Sequence, residues 1–141
     1  MATNTFISNG ITVEFEDKSP EVLEALRNAV ERGLMACGET AVGYAQDKCP
    51  VDTGRLRGSI TYEVDGDDCY IGSNCEYAAF VELGTGIHAE SGGRQTPWTY
   101  KDSSGAWHMT NGQQPQPFLR PAAANHASEY RDILKDSLQN A

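Results

Sequence analysis

Three short segments dense in turn-forming residues break this chain at fixed places: residues 50–60 (PVDTGRLRGSI), 77–85 (YAAFVELGT) and 117–121 (PFLRP). Proline removes an amide donor and glycine opens the left-handed region, so such segments dictate where helices and strands must stop. None holds a nucleophile with its base, a phosphate-binding loop or a metal cage. What they share is that each shapes a junction between elements, so the chain reads first as a building part.

Between these junctions the pattern predicts regular elements. Ile11, Val13 and Phe15 alternate with Thr12, Glu14 and Glu16, the period of a half-buried strand. Ser19, Pro20 and Glu21 then supply an N-cap, a proline for the first turn and an acid where the helix dipole favours one, which predicts a helix from about residue 20. Its stripe runs Val22, Leu26, Val30, Leu34, Cys37, Ala41 and Ala45, and its interior glycines Gly33, Gly38 and Gly43 imply a bend or close packing. Pro50 ends it.

After Pro50, Asp52, Thr53 and Gly54 predict a sharp reversal into a strand, with Leu56, Gly58, Ile60, Tyr62 and Val64 on one face. Asp65 and Gly66 mark a hairpin, and residues 69–73 return antiparallel. Residues 77–83 fit a strand or a short helix, and Gly84 as a C-cap favours the helix. Glu82 would then sit near the negative helix end, either solvated or paired with Arg55 or Arg57.

Residues 85–117 are rich in Gly, Ser, Thr and Gln and poor in aliphatics. Within them, residues 96–101 and 106–110 can pair about a turn at 102–105, bringing Tyr100 near Trp107 and Trp98 near Met109. An isolated hairpin is marginal in water, so this arm folds over its own domain or reaches a neighbouring subunit, and exposed tryptophans favour the second. Trp98, Tyr100, Trp107 and Met109 are its candidate interface residues. A final helix carries Leu119, Ala122, His126, Tyr130, Ile133, Leu134 and Leu138.

Composition narrows the function classes. A chain of 141 residues, 39% hydrophobic, suffices for one domain with its own core. No apolar run is long enough to span a bilayer, and the start lacks the basic and apolar regions of a secretory signal, so no membrane partner is expected. The net charge of −9, from 20 acidic and 11 basic residues, opposes a phosphate-binding surface. Acidity serves solubility, and would also keep DNA from sticking to a surface it moves past.

Cys37, Cys49, Cys69 and Cys75 show no zinc spacing and are expected as free, half-buried thiols. A hydrolase using Cys49 with His88 or His126 is disfavoured, because the proline after Cys49 spoils an oxyanion hole. No catalytic, metal or cofactor residue is assigned.

In their order and content the three segments resemble the small head-tail joining, or tail-completion, proteins of long-tailed bacteriophages and prophages, the gene-ten-product family of a lambdoid siphophage. The shared pattern is a helix ending in Cys/Ala-Pro-Val-Asp-Thr-Gly-Arg-Leu, then Tyr-Ala-x-x-Val-Glu-x-Gly-Thr, a hairpin region, and Gln-Pro-Phe-Leu-x-Pro-Ala before a last helix. The matching residues here are Pro50, Asp52, Thr53, Gly54, Arg55 and Leu56, then Tyr77, Ala78, Glu82, Gly84 and Thr85, then Pro117, Phe118 and Pro121. The cysteines are no part of it.

The resemblance implies an α+β domain over residues 1–141, a small antiparallel sheet packed by a long N-terminal and a C-terminal helix, with residues 85–117 as a flexible β-hairpin arm. It implies a virion neck component without cofactor or catalysis, assembled in the host cytoplasm. Its partners would be its own copies in a ring, the head-completion or adaptor protein, and the tail tube or terminator, with DNA passing unbound through the lumen. A minor tail or tail-terminator role is the alternative.

Overall fold

Among the described residues of this α+β chain, antiparallel pairing forms three separate two-stranded ribbons and not one sheet. The computed structural model describes residues 2–51, 54–90, 92–102 and 104–141. The first ribbon joins β1 (Ala2–Ser8) to β2 (Ile11–Asp17), with Ser8 opposite Ile11. Its turn, Asn9 and Gly10, has φ of 52° and 78°, the two positive values of the tight turn that Asn-Gly favours. Sequence reading found β2 and missed β1, although Asn9-Gly10 is a hairpin signal. Ile11 is exposed and Val13 half buried, while the side chain of Phe15 lies outside the described residues.

Helix α1 runs Ser19–Lys48, and Ser19 is its first helical residue and not its cap. The Ser19 N–H donates to the Asp17 carboxylate at 2.9 Å. At the far end Cys49 turns extended, φ −70° and ψ 128°, as a residue before proline must. Of the predicted stripe, Leu34, Cys37, Ala41 and Ala45 are buried and Val30 is half buried, while Val22 and Leu26 are 55% and 41% exposed. The reason is where the partners pack: Leu134 of the last helix lies at Gly33 and Tyr62 of the second ribbon at Gly38, both on later turns of α1.

Two of its three interior glycines mark those contacts. A Cβ on Gly33 would stand 2.8 Å from Leu134 of the last helix, and one on Gly38 would overlap the Tyr62 ring. Close packing, and not a bend, explains both, whereas Gly43 has open space.

Gly54 (φ 83°) leads into a short helix α2 (Arg55–Ser59), and only then into β3 (Ile60–Asp65), paired with β4 (Asp68–Ser73). The strand predicted from Leu56 therefore starts four residues later. Gly58 N–H donates to Gly54 O at 2.9 Å and Ser59 Oγ to Leu56 O at 2.6 Å, and this helical bonding turns Leu56 into the core. From Ile60 the expected alternation holds.

Helix α3 (Ala78–Leu83) ends at Gly84, and a 3-10 turn (Gly86–His88) leads to the third ribbon, β5 (Trp98–Lys101) and β6 (Trp107–Thr110). The single last helix expected from sequence is two: α4 (Leu119–Ala124) and α5 (Ala127–Gln139). His126 breaks them with φ −125°, and its ring stacks on Tyr44 of α1 with centroids 3.5 Å apart. The core gathers Ala45, Cys49, Leu56, Ile60, Cys75, Ala78, Phe118 and Ala122, with Phe118 the largest fully buried side chain among the described residues.

Candidate functional site

Three stretches far apart in sequence meet at one place. Leu56, Ala78 and Phe118, one from each turn-dense segment, share the buried cluster, and Tyr77 packs against it. Pro50, Gly54, Leu56, Tyr77 and Gln113 line a common cavity beside it. Arg55 lies over the Tyr77 ring at 5.7 Å and reaches Glu76 at 3.3 Å. Asp52 and Thr53, predicted to make the turn before Gly54, lie outside the described residues.

Glu82 binds the second and third segments together. Its carboxylate accepts the backbone N–H groups of Phe118 at 2.8 Å, Leu119 at 3.0 Å and Arg120 at 3.0 Å, so it caps α4 from 36 residues away. The cation expected beside it is neither Arg55 nor Arg57 but Arg120, whose Nε donates to Glu82 at 2.8 Å and whose Nη2 reaches the Glu82 carbonyl at 3.0 Å. The other side of the guanidinium clasps Glu90 with two bonds, 2.8 and 3.0 Å. A planar five-donor fork suits this double grip, which a lysine could not reproduce.

Burial pushes the Glu82 carboxyl up, but the amides of Leu119, Phe118 and Arg120 with the Arg120 side chain outweigh it, and the group titrates below the usual range. Glu90 is also lowered, chiefly by its bond to Arg120. Sequence reasoning missed Arg120 and Glu90, though Arg120 is the one cation of the third segment.

The arm is rooted in this latch. Thr85 N–H donates to Gln113 O at 2.9 Å, Ile87 N–H to Asn111 O at 3.0 Å, and Gln116 N–H to Val81 O at 2.8 Å. At the tip, Asp102 accepts the Ser104 hydroxyl and bonds the His108 ring and the amides of Ala106 and Ser104, and together these hold its carboxyl down to about 2.

The ribbon register differs from the sequence expectation: Lys101 faces Trp107, Thr99 faces Met109, Tyr100 faces His108 and Trp98 faces Thr110. Alternation therefore sorts the four candidate interface residues onto two faces. Trp107 and Met109, 68% and 74% exposed, lie on one with Lys101, and the half-buried Trp98 lies on the other with Tyr100.

With this geometry in hand, residues 13–84, half of the chain, match the family described as "Bacteriophage HK97-gp10, putative tail-component". The chain belongs to this family. No curated protein and no solved structure matches it. As a phage tail component it is a part of the virion that works against other phage structural proteins. The match takes in the first turn-dense segment and all of the second but Thr85, and ends at Gly84, before the arm.

For this tail component the Cys–His pairing weighed from sequence finds no support in the geometry. Cys49 is buried, its thiol donates to Pro50 O, and burial raises its pKa. His88 pairs with Gln114 at 3.0 Å, and His126 stacks on Tyr44. All four cysteines are free thiols. Among the described residues no His, Cys, Asp or Glu group is placed to hold a metal, and no helix is long and apolar enough to cross a membrane.

Proposed function

We propose that this tail component completes the phage neck: copies of the chain assemble into a ring between the head's portal or adaptor and the tail tube or terminator, around the path of the DNA. Residues 1–141 act as one domain with 85–117 as its arm, the motif residues of the three segments are architectural, and the acidic balance lets DNA slide past unbound. Assembly takes place in the host cytoplasm.

One observation carries the reading. The latch holds the interior together, while two large apolar side chains of the arm, Trp107 and Met109, are held outward on a short ribbon, where a partner must cover them.

The test is electron microscopy of phage lacking residues 98–110, which spares the hydrogen bonds that root the arm. Separate DNA-filled heads and free tails of normal length support the reading. Tails of aberrant length would move the chain to the terminator station, and normal infectious particles would refute the arm's role.

A further inference from the structure

The exposed first turns of α1 are not a bare surface. Leu23, Leu26 and Val30 together with Val64 of β3 line an open cavity of about 550 Å³ that no described residue of the arm lines. Glu31 and Asp67 stand on its wall with one cation, Arg27, and Asp65 and Asp68 flank Asp67 at the β3–β4 tip. The chain thus has an apolar socket with an acidic end.

The complementary shape lies elsewhere on the same chain. One face of the β5–β6 ribbon presents Trp107 and Met109 with Lys101 beside them, its ammonium 5.7 Å from the Trp107 ring centroid. The acids of the arm are already engaged, Glu90 by Arg120 and Asp102 by its own turn. Among the described residues no carboxylate pairs with Lys101. This face is therefore apolar and cationic in a chain of net charge −9.

We propose that the Trp107 and Met109 face of one subunit seats in the α1 groove of a second copy, with Lys101 meeting the acids around Asp67. This rests on the ring reading above and specifies its contact. Plug and socket occupy different places on one chain, so the contact is heterologous, and repeating it generates a ring when the rotation closes. Charge complementarity sets the register, since a mismatched copy would bring the acidic tip against another acidic surface.

A photocrosslinking residue placed at Trp107 tests this in assembled particles. The expected product is a covalent dimer of this chain, with the adduct mapped to residues 23–31 or 64–67, and the same probe at Tyr100 on the opposite face leaves those peptides unlabelled. Lys101→Glu lowers dimer yield by about tenfold, and adding Asp67→Lys to it restores the yield. All the altered side chains are exposed, so folding is preserved and is checked by thermal melting.

Adducts within one chain, adducts to another virion protein, or no adduct in assembled particles would overturn the proposal. If the adduct goes to another protein while arm-deleted phage still fail to join heads to tails, the neck reading stands and this contact falls. If the dimer forms as stated but arm-deleted phage join normally, the contact stands and the neck reading falls.

Discussion

Replacing Glu82 by alanine removes the acceptor of three amides and one side of the Arg120 fork in a single step. Each buried donor left without a partner costs about 1–3 kcal/mol, and breaking a buried ion pair by removing one member costs about 3–5 kcal/mol. Arg120 keeps Glu90 and is half exposed, and only Phe118 N–H is fully buried, so about 4 kcal/mol is the expected loss. For a domain of this size that is a fall in Tm of about 8–16 °C.

Glu82→Gln keeps one acceptor oxygen and turns an NH₂ toward the amides, so it should lose roughly half as much. The assay is thermal unfolding followed by circular dichroism at pH 7. A fall below about 2 °C for Glu82→Ala, or a larger one for Gln than for Ala, would refute the latch.

The pH dependence gives an independent check. Glu82 and Glu90 both titrate below the usual carboxylate value when folded. Their stabilisation is therefore complete above the unfolded pKa of about 4.3 and is lost as pH falls through the lower folded values. The gap in Tm between wild type and Glu82→Ala should begin to narrow as pH falls below about 4.3, and a gap unchanged to pH 3 would contradict it.

Other positions test the packing and the arm. Gly38→Ala forces a Cβ into the Tyr62 ring and should cost about 1–3 kcal/mol in urea unfolding, whereas Gly43→Ala meets nothing within 4 Å and should stabilise by about 0.5–1 kcal/mol; equal effects would refute the packing assignment. Asp102→Asn should speed amide hydrogen exchange at Ser104 and Ala106. In the wild type that protection should survive at pH 3, since a carboxyl held to about 2 loses its bonds only as pH falls through that value. Cys37 and Cys49, raised by burial, should react with iodoacetamide at pH 8 far more slowly in the folded chain than in urea. Fast labelling of folded Cys49 would reopen the nucleophile reading.

What the sequence made legible follows from how local each signal is. Pro50, Asp65-Gly66 and Gly84 act through their own backbone, and the elements they bound lie where expected. The pattern starts β3 too early because period 2 and a single helical turn place Leu56 on the same side, and only the bonds from Gly58 and Ser59 distinguish them. Val22 and Leu26 fit the stripe of α1, yet periodicity says which face is apolar and not how far along it a partner extends. The Glu82 partner is illegible in the sequence for a related reason. Helix-end electrostatics asks for a cation, but which of several arginines arrives depends on a contact across 38 residues.

The latch also bears on how a ring could close. The arm leaves the body between Thr85 and Gln113, where Gly86 and Gly112 lie against the backbones of Asn111 and Thr85 so closely that a Cβ on either would collide. That root is tied through α3 and Glu82 to α4, and through Arg120 to Glu90 at the base of the arm. The contacts that hold the interior therefore also fix the direction in which the ribbon projects. In the proposed assembly each copy grips the next through the tip, so an angular error at the root would be multiplied by the arm's length and repeated at every contact. A heterologous contact whose rotation drifts gives open filaments, and one whose rotation is fixed closes. A stiff root with an adhesive tip is the division of labour such a ring requires, and it accounts for why a tail component would place a carboxylate that takes three backbone amides and an arginine beside the root of its arm.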